Sequence, residues 1–114
     1  MKALIVEDES LSAQNLRNIL EKTDDLEVIG QLDSIEETVA WFNTHAKPDI
    51  LFLDIHLADG SAFEIFKQIE VPCPIVFTTA YDEYALSAFK VNSVSYLLKP
   101  IKEEDVRRAL KKLQ

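Results

Sequence analysis

Five short apolar runs, each followed by an amphipathic stretch, restrict this chain to very few folds. Ala3-Leu4-Ile5-Val6, Ile50-Leu51-Phe52-Leu53 and Ile75-Val76-Phe77-Thr78 are almost continuously apolar, as strands buried on both faces must be. Leu26 to Leu32 is mixed in polarity and is expected at an edge, and Val94 to Leu98 forms a fifth strand that the Lys99-Pro100 step breaks. The first helix starts at about Ser10 with Ala13, Leu16 and Leu20 on one face. Ser34 caps a second, whose Ile35, Val39, Phe42 and Ala46 recur at helical spacing. A short third helix follows Gly60, carries Ala62, Ile65, Phe66 and Ile69, and is ended by Pro72 and Pro74. Asp82 caps a fourth, with small Ala85 and Ala88 and a stop at Asn92, and the last begins near Glu103 with Val106, Leu110 and Leu113 inward. Parallel neighbours need helical crossovers, so the pattern predicts an α/β fold, a doubly wound five-stranded parallel sheet with five helices. The 114 residues suit one domain over 1–114, and a closed barrel would need about twice that length.

The formal net charge of −8 argues against this domain gripping nucleic acid itself, since phosphate binding needs a basic face. No apolar run approaches the ~20 residues that span a bilayer, and acids interrupt the apolar start at once, unlike a signal peptide. Cys73 is alone, so no internal disulfide can form and a cytoplasmic setting is expected.

In doubly wound sheets ligands bind at the carboxyl ends of the strands. Glu7 and Asp8 follow the first strand, Asp54 the third, Thr78 and Thr79 end the fourth, and Lys99 follows the fifth. Strand two contributes only Asp33, at the far edge. Three carboxylates, a hydroxyl and an ammonium thus gather at one end if strands one and three are neighbours. Clustered carboxylates repel one another unless a cation sits among them. Magnesium, a hard ion that keeps positions open for water and phosphate oxygens, answers that need. A carboxylate beside it can act as a nucleophile toward phosphorus, with a Lys and a hydroxyl neutralising the transferred group.

Leu-Ile-Val-Glu-Asp-Glu at the start, Leu-Phe-Leu-Asp54, Phe-Thr-Thr79-Ala80 and Tyr96-Leu-Leu-Lys99-Pro100 resemble, in order and over the whole chain, the response-regulator receiver domain. Thr-Thr-Ala-Tyr-Asp-Glu-Tyr-Ala-Leu after strand four is similar to receivers of the LytTR (LytR/AgrA-type) group. The resemblance implies a flavodoxin-like strand order of 2-1-3-4-5 and a two-component switch that takes a phosphoryl group from a sensor histidine kinase onto Asp54. Under it Asp8, Glu7, Asp54 and the main-chain carbonyl of His56 hold Mg2+. Thr79 bonds the phosphoryl group, Lys99 pairs with it, and Tyr96 turns inward when Thr79 moves. Lys99-Pro100 would be cis. His56 and Tyr81 would flank the phosphoryl group and shield it from water. Activation would pair two copies weakly through the fourth helix, fifth strand and last helix. A LytTR-type output domain beyond Gln114 would carry DNA binding and transcription regulation. Ala58 stands where many members have Pro and Ala62 where most have Gly, implying a reshaped loop with Asp59-Gly60 as its turn.

Other readings remain in view. An aspartyl-nucleophile phosphatase or phosphotransferase of the haloacid-dehalogenase kind would want a second acid in Asp54-Ile55-His56. A flavin-binding module would want a small, hydroxyl-rich loop in place of Glu7-Asp8-Glu9. An interaction module that is never phosphorylated would not need Asp54, Thr79 and Lys99 together. Taken alone, Glu7 and Asp8 are ordinary acids beside a helix start, Thr79 and Tyr96 ordinary strand residues. Trp41, Phe42, Phe63 and Phe66 are expected in the core and His45 at a helix-end surface. Cys73 is expected as an inert thiol, and Arg107, Arg108, Lys111 and Lys112 as a solvated helix face.

Overall fold

The computed structural model describes residues 1–80 and 93–113. The expected fourth helix and Tyr81 lie outside the described residues. The main sheet is built from β1 (Lys2–Val6), β2 (Glu27–Leu32), β3 (Ile50–Asp54), β4 (Ile75–Thr79) and β5 (Ser93–Leu98). All neighbours are parallel, in the order β2-β1-β3-β4-β5. The helices are α1 (Ser10–Glu21), α2 (Ile35–Thr44), α3 (Ile65–Gln68) and α4 (Glu103–Lys111). This is the doubly wound sheet that the apolar runs predict.

The two-residue alternation of strand side chains divides the core in two. Leu4, Val6, Leu51, Leu53, Ile75 and Phe77 face one way, with Ile35 of α2 and Ile65 of α3. Ala3, Ile5, Ile50, Phe52 and Val76 face the other, with Leu16 and Leu20 of α1 and Val106 and Ala109 of α4. Because both faces are covered, β1, β3 and β4 carry apolar residues at successive positions. The mixed strand β2 is at the edge, as its polarity predicts. Register slips there between Ala3 and Leu4, whose partners are Val28 and Gly30, leaving Ile29 as an extra residue. Gly30 is tightly enclosed in this bulge: a Cβ would lie 3.0 Å from Leu4 Cδ1 and 3.1 Å from Trp41 Cη2, so these side chains would have to give way.

Several details differ from expectation. The segment after Gly60 is a 3-10 turn (Ala62–Glu64) leading into only four α-helical residues, ending at an extended Ile69. Val71, two residues on, precedes Pro72, and the residue before proline is disfavoured in the helical region, so the helix had little room to continue. α2 stops at Thr44, whose hydroxyl donates to the Ala40 carbonyl at 2.8 Å, so Ala46 is beyond the helix and exposed. Trp41, Phe42, Phe63 and Phe66 pack on the core as half-buried residues rather than within it. Phe63 approaches Phe77 at 5.4 Å between centroids, and Phe66 meets the same ring edge-on at 6.1 Å. Among the described residues, no helix is long and apolar enough to cross a membrane.

Candidate functional site

Three strand ends converge at the carboxyl edge of the sheet. The Glu7 amide donates to Leu32 O at 2.8 Å, extending the β1–β2 ladder by one residue, and the residue is only 5 % exposed. Asp8, the next residue, is exposed. Asp54 closes β3 opposite Thr78 and is buried. The Lys99 amide donates to Thr79 O at 2.8 Å, so Lys99 prolongs the β4–β5 ladder just before a cis bond to Pro100. Its ammonium reaches Glu7 Oε1 at 2.5 Å and Asp54 Oδ2 at 3.1 Å. The second oxygen of each acid is also engaged: Glu7 Oε2 accepts from the Glu9 amide at 3.2 Å, and Asp54 Oδ1 from the His56 amide at 3.3 Å.

The electrostatics follow from this crowding. Burial pushes the Glu7 carboxyl up to about 8, and a hydrogen bond with Asp54 and its charge add to the rise, while Lys99 opposes it. Burial alone would lower the Lys99 ammonium, but its bonds to Glu7 and Asp54 hold it above its ordinary value. Two buried carboxyls share one ammonium, and Glu7 is the one that retains its proton near neutrality.

A divalent cation suits these donors. One oxygen from each of Glu7, Asp8 and Asp54 can be chosen so that all lie within 4.8 Å of one another. Once Glu7 gives up its proton, three carboxylates against one ammonium leave two negative charges, and the donors are hard oxygens of the kind that magnesium and calcium take. The solvent-facing Asp8 leaves an entry path.

Thr79, fully buried, ends β4 opposite Leu98, and half-buried Tyr96 pairs with Phe77 two ladder steps inward and packs on the core. His56 is exposed at the start of the loop after Asp54. Asp33 does not join the cluster; it is exposed, and its amide donates to Glu37 Oε1 at 3.1 Å. Cys73 is buried, which pushes its thiol up to about 11 and leaves little thiolate for reaction. His45 is exposed at the end of α2, stacked on Trp41 at 3.8 Å. Arg107 and Arg108 are exposed and paired within α4 to Glu103 and Asp105.

The loop between Asp54 and α3 contains a residue whose role the sequence does not disclose. His56–Leu57 pairs antiparallel with Gly60–Ser61, so the tip is Ala58-Asp59, one residue earlier than the expected Asp59-Gly60 turn. Gly60, at φ +138°, occupies a conformation that side chains resist. Asp59 Oδ1 accepts the Ile35 amide at 2.7 Å and Oδ2 the Glu36 amide at 3.2 Å. The only sequence signal was an Asp in a turn, and nothing in it points to a helix start 24 residues away.

Residues 3–111 match the response regulator receiver domain family. The chain is 45% identical to the sensory transduction protein LytT of Bacillus anthracis, over 98% of this chain and 46% of that protein. It is 40% identical to the transcriptional regulatory protein BtsR of Salmonella typhi, over 100% of this chain and 48% of that one. It therefore spans about half the length of the curated relatives it matches. The crystal structure of the response regulatory domain of mrkE from Klebsiella pneumoniae superposes with a TM-score of 0.83 at 34% identity, covering 99% of this chain and 94% of that one.

Proposed function

This chain belongs to the response regulator receiver domain family, and from that premise we propose that it accepts a phosphoryl group on Asp54 from the phosphohistidine of a sensor kinase. The observation that carries the reading is the Lys99 ammonium held between Glu7 and Asp54 with Asp8 alongside. Glu7, Asp8 and Asp54, with the main-chain carbonyl of His56, would hold Mg2+. Bound there, the ion would neutralise the cluster and the oxygens of the transferred group.

The protein's own groups do the rest. An Asp54 carboxylate oxygen attacks phosphorus as the bond to the kinase imidazole breaks, and the imidazole leaves as the neutral base after taking up a proton. Lys99 releases Asp54 Oδ2 and pairs with the phosphoryl oxygens instead. The Thr79 hydroxyl donates to another of them, and Tyr96 follows inward. His56 would flank the group and restrain its hydrolysis by obstructing the in-line path of water, a role the family resemblance gives to Tyr81 as well. The two-fold greater length of the relatives supports an output domain after this one, of LytTR type and carrying DNA binding.

A small phosphodonor with magnesium should label the wild type once per chain and leave Asp54→Asn unlabelled. Equal labelling of Asp54→Asn would sink the assignment. Fast release of phosphate with no labelled chain accumulating would favour the phosphatase reading instead.

A further inference from the structure

The first amides of any helix lack partners within it. In α2, Ser34 Oγ accepts the Glu37 amide at 3.1 Å, which accounts for one of them. The Ile35 and Glu36 amides are taken by Asp59, a residue of the Asp54–α3 loop. The same loop makes a third bond to this region, Ala58 N to Asp33 O at 3.3 Å. Buried Leu57 shares a core cluster with Ile35, and a Cβ on Gly60 would sit 3.4 Å from Ile35 Cδ1. The loop's other end is held by Ala62 N to Ile55 O at 2.7 Å and by its two-residue ribbon. Between these ties stands His56, whose amide already touches Asp54.

We propose that Asp59 is a positioning residue for cation binding: by clasping the N-terminus of α2 it fixes the loop that presents the His56 carbonyl beside Asp54. This inference rests on the cation site proposed above. A carboxylate can serve both amides at once, one per oxygen, and it meets the positive end of the α2 dipole. Alanine removes both bonds. Asparagine keeps one acceptor and turns a donor toward the other amide. In the alanine variant the loop would be held to the α2 start by the Ala58 bond and the packing of Leu57.

The test compares Mg2+ titrations of the wild-type domain, Asp59→Ala, Asp59→Asn and Ser34→Ala. Each is followed by fluorescence of Trp41, the sole tryptophan, and by the Mg2+-dependent rise in melting temperature. Ser34→Ala is the control, since it weakens the same helix start without touching the loop. Asp59→Ala should weaken Mg2+ binding by about tenfold, in the range typical for losing an outer hydrogen-bonding partner of a metal site. Asp59→Asn should fall between it and wild type, and Ser34→Ala should lower the melting temperature but bind Mg2+ as wild type does. Wild-type affinity in Asp59→Ala would overturn the inference and leave the cation site standing. Equal weakening by Ser34→Ala would also overturn it, assigning the effect to helix stability. If the wild type binds no Mg2+, the site reading and this inference fall together.

Discussion

Replacing Glu7 with Gln should remove a large part of the pH dependence of stability in the metal-free domain. The Glu7 carboxyl is pushed from 4.5 up to about 8 by burial and then by Asp54. Below 4.5 both folded and unfolded chains carry this proton and nothing is lost; above 8 both release it and the full destabilisation is present. Between those limits the folded state alone keeps the proton, so stability falls as pH rises, by about 1.4 kcal/mol per unit. From about pH 5.5 to 7.5 the loss is about 3 kcal/mol, a sizeable fraction of a domain's ~5–15 kcal/mol. Glutamine is neutral throughout, nearly isosteric, and retains an oxygen for Lys99 while offering an amide donor to Asp54. Glu7→Gln should therefore be the more stable protein at pH 7.5, with its advantage shrinking by about 3 kcal/mol at pH 5.5. Groups common to both proteins cancel in the comparison. One is Asp59, held below its usual range first by the Ile35 amide, whose contribution fades in both as pH falls. Urea denaturation followed by Trp41 fluorescence in chelator is the assay. Parallel stability profiles, or a less stable Glu7→Gln at pH 7.5, would show that the carboxyl is not strained as argued.

Two further outcomes are expected. Magnesium at about ten times its Kd should stabilise the wild type by about 1.4 kcal/mol through binding the native state alone. Asp8→Ala should abolish that rise in melting temperature, and a rise that survives it would count against the site. A phosphoryl mimic such as beryllofluoride should produce a weak, salt-sensitive dimer through the β5–α4 face, read by light scattering. Arg107 and Arg108 already pair with Glu103 and Asp105, so cross-subunit ion pairs must displace these and are worth at most ~0–1 kcal/mol each. A strictly monomeric activated domain at high concentration would refute it.

The sheet and the residues at its edge were legible for one physical reason. A strand covered on both faces must be apolar at successive positions, so the first charged residue after it marks where the strand leaves the core. Glu7, Asp54 and Lys99 were found in that way, and the edge strand β2 by its mixed polarity. Pairwise distances were not legible, because they depend on strand order and on side-chain length. Tertiary ties were hidden as well. The tight fit of Gly30 against Trp41 joins residues on two different elements. The clasp of Asp59 on α2 depends on a loop path that no local pattern encodes. The short α3 stops at Gln68 although Ile69 continues the helical spacing of apolar residues.

The length of the Glu7 side chain becomes intelligible in the same terms. Glu7 follows β1 and Lys99 follows β5, with β3 and β4 between them. Three strand spacings of ~4.8 Å separate those main chains by roughly 14 Å near the sheet edge. Only two long side chains can meet across that distance, and they meet over Asp54, which ends the intervening β3. An aspartate at position 7 would draw its carboxylate back from Lys99, leaving the ammonium to Asp54 alone. Glutamate thus makes Lys99 a shared counter-ion for both acids. The cost is a buried carboxyl that holds its proton near neutrality, and release of that strain is available to any cation that enters beside Asp8.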